Sequence, residues 1–235
     1  LVSGLPPAYL SLRPHPPLPQ RGRSRLPKSL PIIGLAVLLS ACGHRAEPAP
    51  KPEQIVNLPF STNALAGQTL TVVPLALLAA DSATEADPLF ADHQRALQWV
   101  DSLIGNALTE RAPEVIWKLP PELRKIARRA PGLAPDLDRL CQGMMRDQCL
   151  KVVPDPFRAA LRNLTALAGG RFALIPAATV FVHDPLGGES TELLLVLVDS
   201  REATVLWRTR AVGHGATARA ALDAALDHVL PAMVR

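Results

Sequence analysis

The sequence lacks the short motifs by which common enzyme classes are recognised. It contains no G-x-S-x-G, H-E-x-x-H or C-x-x-C pattern and no glycine-rich phosphate loop. No residue therefore stands out as a nucleophile, a metal ligand or a phosphate-binding group. We predict no catalytic residues, no metal site and no cofactor, and we expect a protein that acts by binding.

A membrane-spanning length is also missing from the apolar run 31–42, because a permanent transmembrane helix needs about 20 residues. The run has instead the length of a signal-peptide core. Its positive flank consists of Arg21, Arg23, Arg25 and Lys28. We therefore predict that segment 1–41 is removed during export.

The apolar run ends in Leu39-Ser40-Ala41-Cys42, which resembles the lipobox of bacterial lipoproteins. The resemblance implies that Cys42 is acylated, with palmitate among its acyl chains, and becomes the first residue of the mature protein. The lipid would anchor the protein to a membrane. We expect the outer membrane, with the protein facing the periplasm, and the inner membrane is the alternative.

An excess of positive charge is missing from the exported part. The whole chain has 25 Lys and Arg and 21 Asp and Glu, but five of the basic residues and none of the acidic ones precede Cys42. The mature part therefore keeps 20 basic and 21 acidic residues, a net charge of −1. This balance gives no electrostatic basis for a nucleic-acid partner.

Cysteine is scarce, with three residues in the chain. Cys42 is assigned to the lipid, which leaves Cys141 and Cys149 as a pair in an oxidising compartment. We predict a disulfide between them, with Gly143 permitting the chain reversal that a bridge needs. Two separate buried thiols are the alternative, and we predict no metal bound there.

The exported part divides into a tether and a domain. Segment 42–68 carries four prolines and little regular hydrophobicity, which is typical of an extended linker. A short apolar stretch at 55–60 is a candidate for docking the linker. Segment 69–235 has the length of a single domain with one core.

Hydrophobic periodicity and turn signals predict the elements of this domain. In the first half they are a strand at 69–78 interrupted by Pro74, a helix at 89–111 capped by Asp87, a strand at 115–117, a helix at 120–129, a short helix at 137–145 and a strand at 150–153. A helix over 157–167 follows. We then expect three strands, at 172–182, 192–198 and 204–212, and a closing helix capped by Thr217.

The three late strands are joined by short turns and predict an antiparallel meander. In the last of them, one face consists of Val205, Trp207, Thr209 and Ala211, and the other of Leu206, Arg208 and Arg210. We expect the first face to pack inward, with Val205, Trp207 and Thr209 together, and the second to meet water. The predicted fold class is α+β and sandwich-like, with a mixed sheet, a C-terminal antiparallel meander and helices packed on the sheet.

This order of elements resembles the small α/β domains of envelope accessory lipoproteins. The group includes the curli-secretion lipoprotein, the amino-terminal domain of the Tol translocation protein and the lipoprotein activators of penicillin-binding proteins. The most specific similarity is Leu-Val-Leu-Val-Asp at 195–199 with Val-Leu-Trp at 205–207, similar to a strand followed by D-x-x-x-G and a second strand. Ala203 stands where that group has glycine.

Three residues are candidate ligands for a small molecule. His183 and Asp184 form a possible metal or acid–base pair, although Asp is also expected for conformational reasons at the hairpin turn that follows. His214 lies between two glycines before the last helix, where backbone amides bind anions. The alternative for His214 is a flexible link between strand and helix.

A basic run on the second predicted helix consists of Arg124, Lys125, Arg128 and Arg129. It is a candidate for contact with anionic lipid or cell-wall phosphate, and the alternative is a solvated helix face.

Two functional hypotheses follow. The first is a non-catalytic, lipid-anchored periplasmic accessory protein that binds another envelope protein. The second is an envelope enzyme or ligand-binding lipoprotein whose site is assembled from scattered polar residues such as His183, His214 and Asp199. A concave pocket of several hundred Å³ with convergent polar groups favours the second hypothesis.

Overall fold

The computed structural model describes residues 59–185 and 187–231 of the 235-residue chain. These residues form an α+β fold in which four α-helices pack on a mixed sheet of six strands, the fold class expected from the sequence. The strands are β1 Thr69–Val72, β2 Leu78–Ala80, β3 Ile116–Lys118, β4 Phe172–His183, β5 Glu189–Asp199 and β6 Thr204–Gly215. The helices are α1 His93–Arg111, α2 Pro120–Arg129, α3 Phe157–Leu167 and α4 Ala218–Val229.

The sheet has the order β3-β1-β4-β5-β6, and β2 also pairs with β4. The strands β1 and β2 run parallel to β4, and β3 runs parallel to β1. The last three strands are antiparallel neighbours, which confirms the predicted meander. Of the helices in the described residues, none is both long and apolar enough to cross a membrane.

The predicted strand 69–78 is two strands. β1 ends at Val72 and β2 begins at Leu78, with Pro74 between them, because proline has no N–H to donate to a ladder. Both pieces follow the same edge of β4, where Leu70 pairs with Phe172 and Leu78 with Thr179. In the loop left by the break, the N–H groups of Val73 and Ala76 still donate to β4 carbonyls, whereas the carbonyl of Pro74 and the N–H of Leu75 bind side chains.

The first long helix begins later than predicted. It starts at His93, because the Asp92 carboxylate accepts the N–H of Arg95 at 3.1 Å and caps the helix there. Asp87, the predicted cap, accepts the N–H of Leu89 at 2.8 Å in a separate turn. The apolar periodicity located the body of this helix, and the choice between two aspartates decided its start.

The other helical predictions vary in outcome. α2 has the predicted bounds, and Thr217 caps α4 as predicted, accepting the N–H of Ala220 at 3.2 Å. The predicted helix 137–145 consists instead of two short 3-10 turns, Leu137–Arg139 and Gln142–Arg146. The predicted strand 150–153 is reduced to one bridge between Val152 and Thr204.

The sheet separates two apolar clusters. On one face, buried side chains of α1 and α4 pack against the sheet, among them Val100, Ile104 and Leu222. On the other face, buried side chains of α2 and α3 pack against the sheet, among them Leu123 and Phe157. β4 and β5 are apolar on both faces because each face is covered, whereas β6 alternates buried with exposed residues.

An irregular pairing in β6 changes which of its residues face each cluster. Leu197 pairs with Trp207 and Val198 with Val205, so Leu206 is an extra residue in a β-bulge. Trp207 packs against the α1/α4 cluster, whereas Val205 packs against the α2/α3 cluster. The prediction that Val205 and Trp207 share a face is therefore wrong, because the bulge reverses the alternation.

Helix α4 lies unusually close to β6. A Cβ placed on Gly213 would come within 2.1 Å of the carbonyl oxygen of Ala221 and 2.2 Å of the backbone nitrogen of Ala225. Only glycine permits this approach of helix and strand.

The segment before β1 packs on the domain. Phe60 and Leu65, which the sequence assigned to the tether, are buried in the α1/α4 cluster. The N–H of Phe60 donates to the carbonyl of Val229 at 2.9 Å, and its ring lies 4.8 Å from that of Trp207, centroid to centroid. The chain is therefore held against α4 and β6 before it enters the sheet.

Candidate functional site

Three of the predicted site residues are cysteines. Cys42 lies outside the described residues, so its lipidation stays a prediction. Cys141 and Cys149 are exposed and have free thiols in the structure. The sequence analysis assigned the chain reversal to Gly143. In the structure it is Cys141, two residues earlier, whose backbone takes the left-handed conformation, with a φ of 59°. The disulfide between the two cysteines is not formed in the structure and stays a prediction.

The fold brings His183, Asp184 and His214 to one end of the meander. His183 Nδ1 lies 3.4 Å from Glu189 Oε1, and His214 Nδ1 lies 3.8 Å from Asp184 Oδ2. The backbone N–H of His183 also donates to the carboxylate of Asp81 at 2.9 Å. These contacts tie the hairpin end to the chain after β2.

The same end of the sheet does not show the geometry of a metal site. Within residues 59–185 and 187–231, no three His, Cys, Asp or Glu side chains cluster so that they could hold a metal ion. The two histidines are half or more exposed; the ring of His183 lies near Glu189 and that of His214 near Asp184. The arrangement is that of two surface ion pairs, which form when the imidazoles are protonated.

Asp199 acts in the turn between β5 and β6. Its Oδ2 accepts from Arg171 Nε at 2.7 Å, and its Oδ1 accepts the N–H of Arg201 at 2.9 Å and of Glu202 at 3.3 Å. The hydrogen bond from Arg171 lowers the pKa of the Asp199 carboxyl. This buried carboxylate therefore holds the turn in place.

Ala203 completes that turn with a φ of 59°, in the left-handed region that favours glycine. The D-x-x-x-G similarity has a direct conformational basis, because the fifth position requires this backbone. The methyl group of Ala203 is buried in the α2/α3 cluster.

Many polar side chains surround a concavity between α1 and α2. We call it the α1–α2 groove: two cavities, of about 280 Å³ and about 510 Å³, that share the lining residues Gln98, Asp101 and Arg124. The smaller cavity is closed by the loop after β1 and the 3-10 turns, and the larger by the start of α2. Their size is that of ligand-binding clefts.

Asp101 forms the floor where the two cavities meet. Its Oδ1 accepts the N–H of Leu75, in the loop that Pro74 creates, at 2.8 Å. Burial raises the pKa of the Asp101 carboxyl to about 6, an effect that the hydrogen bond from Leu75 and the charge of Arg124 oppose and that Asp138 adds to. A buried acid with a raised pKa in a cleft is a common property of functional sites.

The loop after β1 is fixed from a second direction. Gln142 is buried, and its Nε2 donates to the carbonyl of Pro74 at 3.1 Å. Two side chains from distant parts of the sequence thus bind the backbone between β1 and β2. The polar wall of the smaller cavity is rigid for this reason.

One wall of the groove is a row of neutral polar side chains on α1. Gln94, Gln98, Ser102 and Asn106 follow one another at intervals of four residues, which places them on the same helix face. All four are exposed and line the cavities. They offer amide and hydroxyl groups that both donate and accept hydrogen bonds.

The opposite wall is the basic run on α2. Arg124, Lys125 and Arg128 line the larger cavity, and Arg124 also contacts Asp138 Oδ1 at 3.4 Å. Lys125 and Arg128 are exposed. Part of the basic run that the sequence analysis singled out therefore belongs to a concave site.

Sequence reasoning missed Asp101, although the sequence carries a signal for it. The residue lies four positions after Leu97 and three before Ile104, on the apolar stripe of α1. An acidic residue at such a position faces the interior and needs a partner. The partner, a backbone N–H 26 residues earlier, is known only from the fold.

Comparison with known proteins identifies no family. No family model matches the sequence, and no curated protein matches it. Solved structures of bacterial proteins show a remote similarity. The chain resembles the LpoB C-terminal domain from Escherichia coli at 12% identity and a TM-score of 0.35, covering 65% of this chain and 86% of that chain.

Two further solved structures are similar. One is the PelC dodecamer from Paraburkholderia phytofirmans, at 13% identity and a TM-score of 0.37, covering 76% of this chain and 94% of that chain. The other is a lipoprotein from Neisseria meningitidis, at 12% identity and a TM-score of 0.29, covering 63% of this chain and 80% of that chain. At these values the similarity carries no argument about function, which rests on the residues of this chain.

Proposed function

We propose that the protein is a lipid-anchored, non-catalytic accessory protein of the bacterial envelope that faces the periplasm and binds another envelope component. The observation that carries the proposal is Leu39-Ser40-Ala41-Cys42 at the end of a short apolar run with a basic flank. A secretory signal that ends in a lipobox cysteine is a combination typical of exported, acylated proteins.

The arrangement of the chain after Cys42 supports a tethered domain. Phe60 is the first buried side chain in the part of the chain that the structure describes. Segment 42–59 therefore lies between the proposed anchor and the first residue that packs on the domain. Fully extended, that segment reaches about 60 Å at most. Such a reach lets the domain meet partners away from the membrane surface.

Replacing Cys42 with serine tests the anchor. Each buried methylene contributes about 0.8 kcal/mol to membrane binding, so several acyl chains hold a protein at the membrane in effect permanently. We expect the wild-type protein in the detergent phase and in outer-membrane fractions, and the Cys42→Ser protein uncleaved or in the soluble fraction. Equal partition and equal electrophoretic mobility of the two proteins would reject the anchor.

Cross-linking in the native envelope tests the binding role. A photoreactive residue at Asn106, an exposed position in the α1–α2 groove, should cross-link to an envelope component. The same residue at Asn163, an exposed position on α3 that does not line the groove, serves as the control. Equal cross-linking at the two positions would show that the partner does not bind specifically at the groove.

A small-ligand-binding lipoprotein is the second candidate function. It is favoured by the α1–α2 groove, because two joined cavities of about 280 Å³ and 510 Å³ with convergent polar groups have the form of a ligand site. The two candidates differ in what is bound: a macromolecule yields a defined cross-linked species of higher mass, and a small ligand does not.

A further inference from the structure

The α1–α2 groove has two walls of different chemistry. The α1 wall carries neutral amide and hydroxyl groups, with Gln98, Ser102 and Asn106 along the larger cavity. The α2 wall carries the cations of Lys125 and Arg128 at the same cavity. A ligand that uses both walls must present acidic groups on one side and neutral polar groups on the other.

A simple polyanion fits this groove poorly. Phosphate oxygens only accept hydrogen bonds, so they would leave half of the capacity of the amide wall unused. The carboxylate of Asp101 at the floor and that of Asp138 beside Arg124 would also repel a dense anion. Both carboxylates are acceptors for hydroxyl or N–H donors of a ligand.

The two cavities of the groove are adjacent, because Gln98, Asp101 and Arg124 line both. A ligand longer than one cavity would pass these three side chains to reach the other. Gly105 adds no side chain to the larger cavity, and a Cβ there would lie 3.1 Å from Leu119. An extended chain of polar units suits this form better than a compact ligand.

We propose that the α1–α2 groove binds a segment of a glycan that carries acetamido, hydroxyl and carboxylate groups, the chemistry of a bacterial cell-wall strand. The acetamido and hydroxyl groups face the α1 wall, and the carboxylates face Lys125 and Arg128. The identification with the cell wall rests on the proposed function in the envelope. The chemistry of the ligand rests on the groove alone.

Binding of soluble fragments to the purified full chain in detergent tests the proposal. The probe is a disaccharide of N-acetylglucosamine and N-acetylmuramic acid with its peptide stem, titrated calorimetrically. The neutral comparison is the N-acetylglucosamine tetramer, which has the acetamido and hydroxyl groups without carboxylates. We expect the acidic fragment to bind at least about tenfold more tightly.

Two further probes distinguish other anions from the glycan. They are inorganic phosphate and vesicles that contain an anionic phospholipid. Tighter binding of either one than of the acidic fragment would overturn the proposal, as would equal binding of the neutral tetramer. Because the titration uses purified protein, its result does not depend on where the protein resides in the cell.

Charge reversal of the α2 wall gives the matched variants. Lys125→Glu with Arg128→Glu changes two exposed side chains, so the fold should be retained, and should weaken binding of the acidic fragment about tenfold or more. Arg158→Glu, an exposed arginine on α3 that does not line the groove, should leave binding unchanged. Equal losses in both proteins would point to net charge and overturn the site.

Removal of the amide wall gives an independent test. Gln98→Ala with Asn106→Ala should weaken both the acidic fragment and the neutral tetramer, because both use acetamido contacts. Asn163→Ala, at an exposed position of α3 outside the groove, is the control. Unchanged binding in the double variant, with an unchanged thermal midpoint, would overturn the proposal. Failure of these tests leaves the fractionation result for Cys42 unaffected, so the two proposals fail separately.

Discussion

The buried carboxyl of Asp101 should make the protein less stable at neutral pH than in mild acid. Its pKa is raised from 3.8 to about 6, chiefly by burial. A raised pKa means that the folded protein holds this proton more tightly than the unfolded chain, so stability is lost as pH rises through the folded-state value. The difference between the two pKa values corresponds to about 3 kcal/mol.

Asp101→Asn removes this titration and keeps the acceptor for the N–H of Leu75. We expect the variant to be more stable than the wild type at pH 8 by about 3 kcal/mol, with the advantage falling by about 2 kcal/mol at pH 4.5. The opposing charge of Arg124 and the added charge of Asp138 are already contained in the pKa of Asp101.

Urea unfolding of both proteins at pH 4.5, 6 and 8 measures the effect. The free energies of unfolding should converge as the pH falls. Parallel curves, with the same difference at all three pH values, would show that Asp101 titrates normally and would refute its burial as the cause. Asp223→Asn is the control, because this carboxylate on α4 is about half exposed and lies outside the groove, so its replacement should change the pH dependence little.

Three further predictions concern the sheet. Ala203→Gly should change the free energy of unfolding by no more than about 1 kcal/mol, because relief of the left-handed conformation (about 1–2 kcal/mol) offsets the loss of a buried methyl group. Ala173→Gly, at a buried position in an ordinary strand, should lower the free energy of unfolding by more. Equal losses in the two variants would contradict the conformational argument. Trp207→Ala should lower the free energy of unfolding by about 2–3 kcal/mol, less than the loss expected for a fully buried tryptophan. Because the ring packs on Phe60, the variant should also be cleaved faster by proteases near Phe60. A thermal midpoint within a degree or two of the wild-type value would place the ring outside the core. Asp199→Asn should cost about 1–3 kcal/mol at pH 7 by breaking the charge-assisted contact that holds the turn. Since the pKa of Asp199 is lowered, that cost should shrink as the pH falls below 4, and a constant cost would argue against the ion pair.

Local signals in the sequence predicted much of the fold. Extended apolar runs separated by turn signals located the three strands of the meander, and Pro120 with Pro121 fixed the start of α2. These signals depend on neighbouring residues, so one sequence contains them. The bulge at Leu206 depends on how β5 and β6 pair. No local sequence signal predicts that the bulge turns Val205 and Trp207 to opposite faces of the sheet.

The candidate site could be predicted only in part. The basic run on α2 is visible in the sequence, but its meaning changes once α1 supplies the facing wall. Asp101 meets the N–H of Leu75, and Gln142 meets the carbonyl of Pro74, across long separations in the chain. Both contacts exist because Pro74 interrupts the first strand and leaves the carbonyl of Pro74 and the N–H of Leu75 without partners in the sheet. The sequence pattern does not predict which side chains will bind these two backbone groups.

The docking of Phe60 would decide how mechanical load enters a domain anchored through Cys42. If the proposed anchor and partner are both in place, a pull along segment 42–59 first reaches the contacts of Phe60 with Val229 and Trp207. Val229 lies in α4 and Trp207 in β6, the two elements that Gly213 allows to pack closely. Such tension would act on the α4–β6 contact before it acts on the hydrogen bonds of β1.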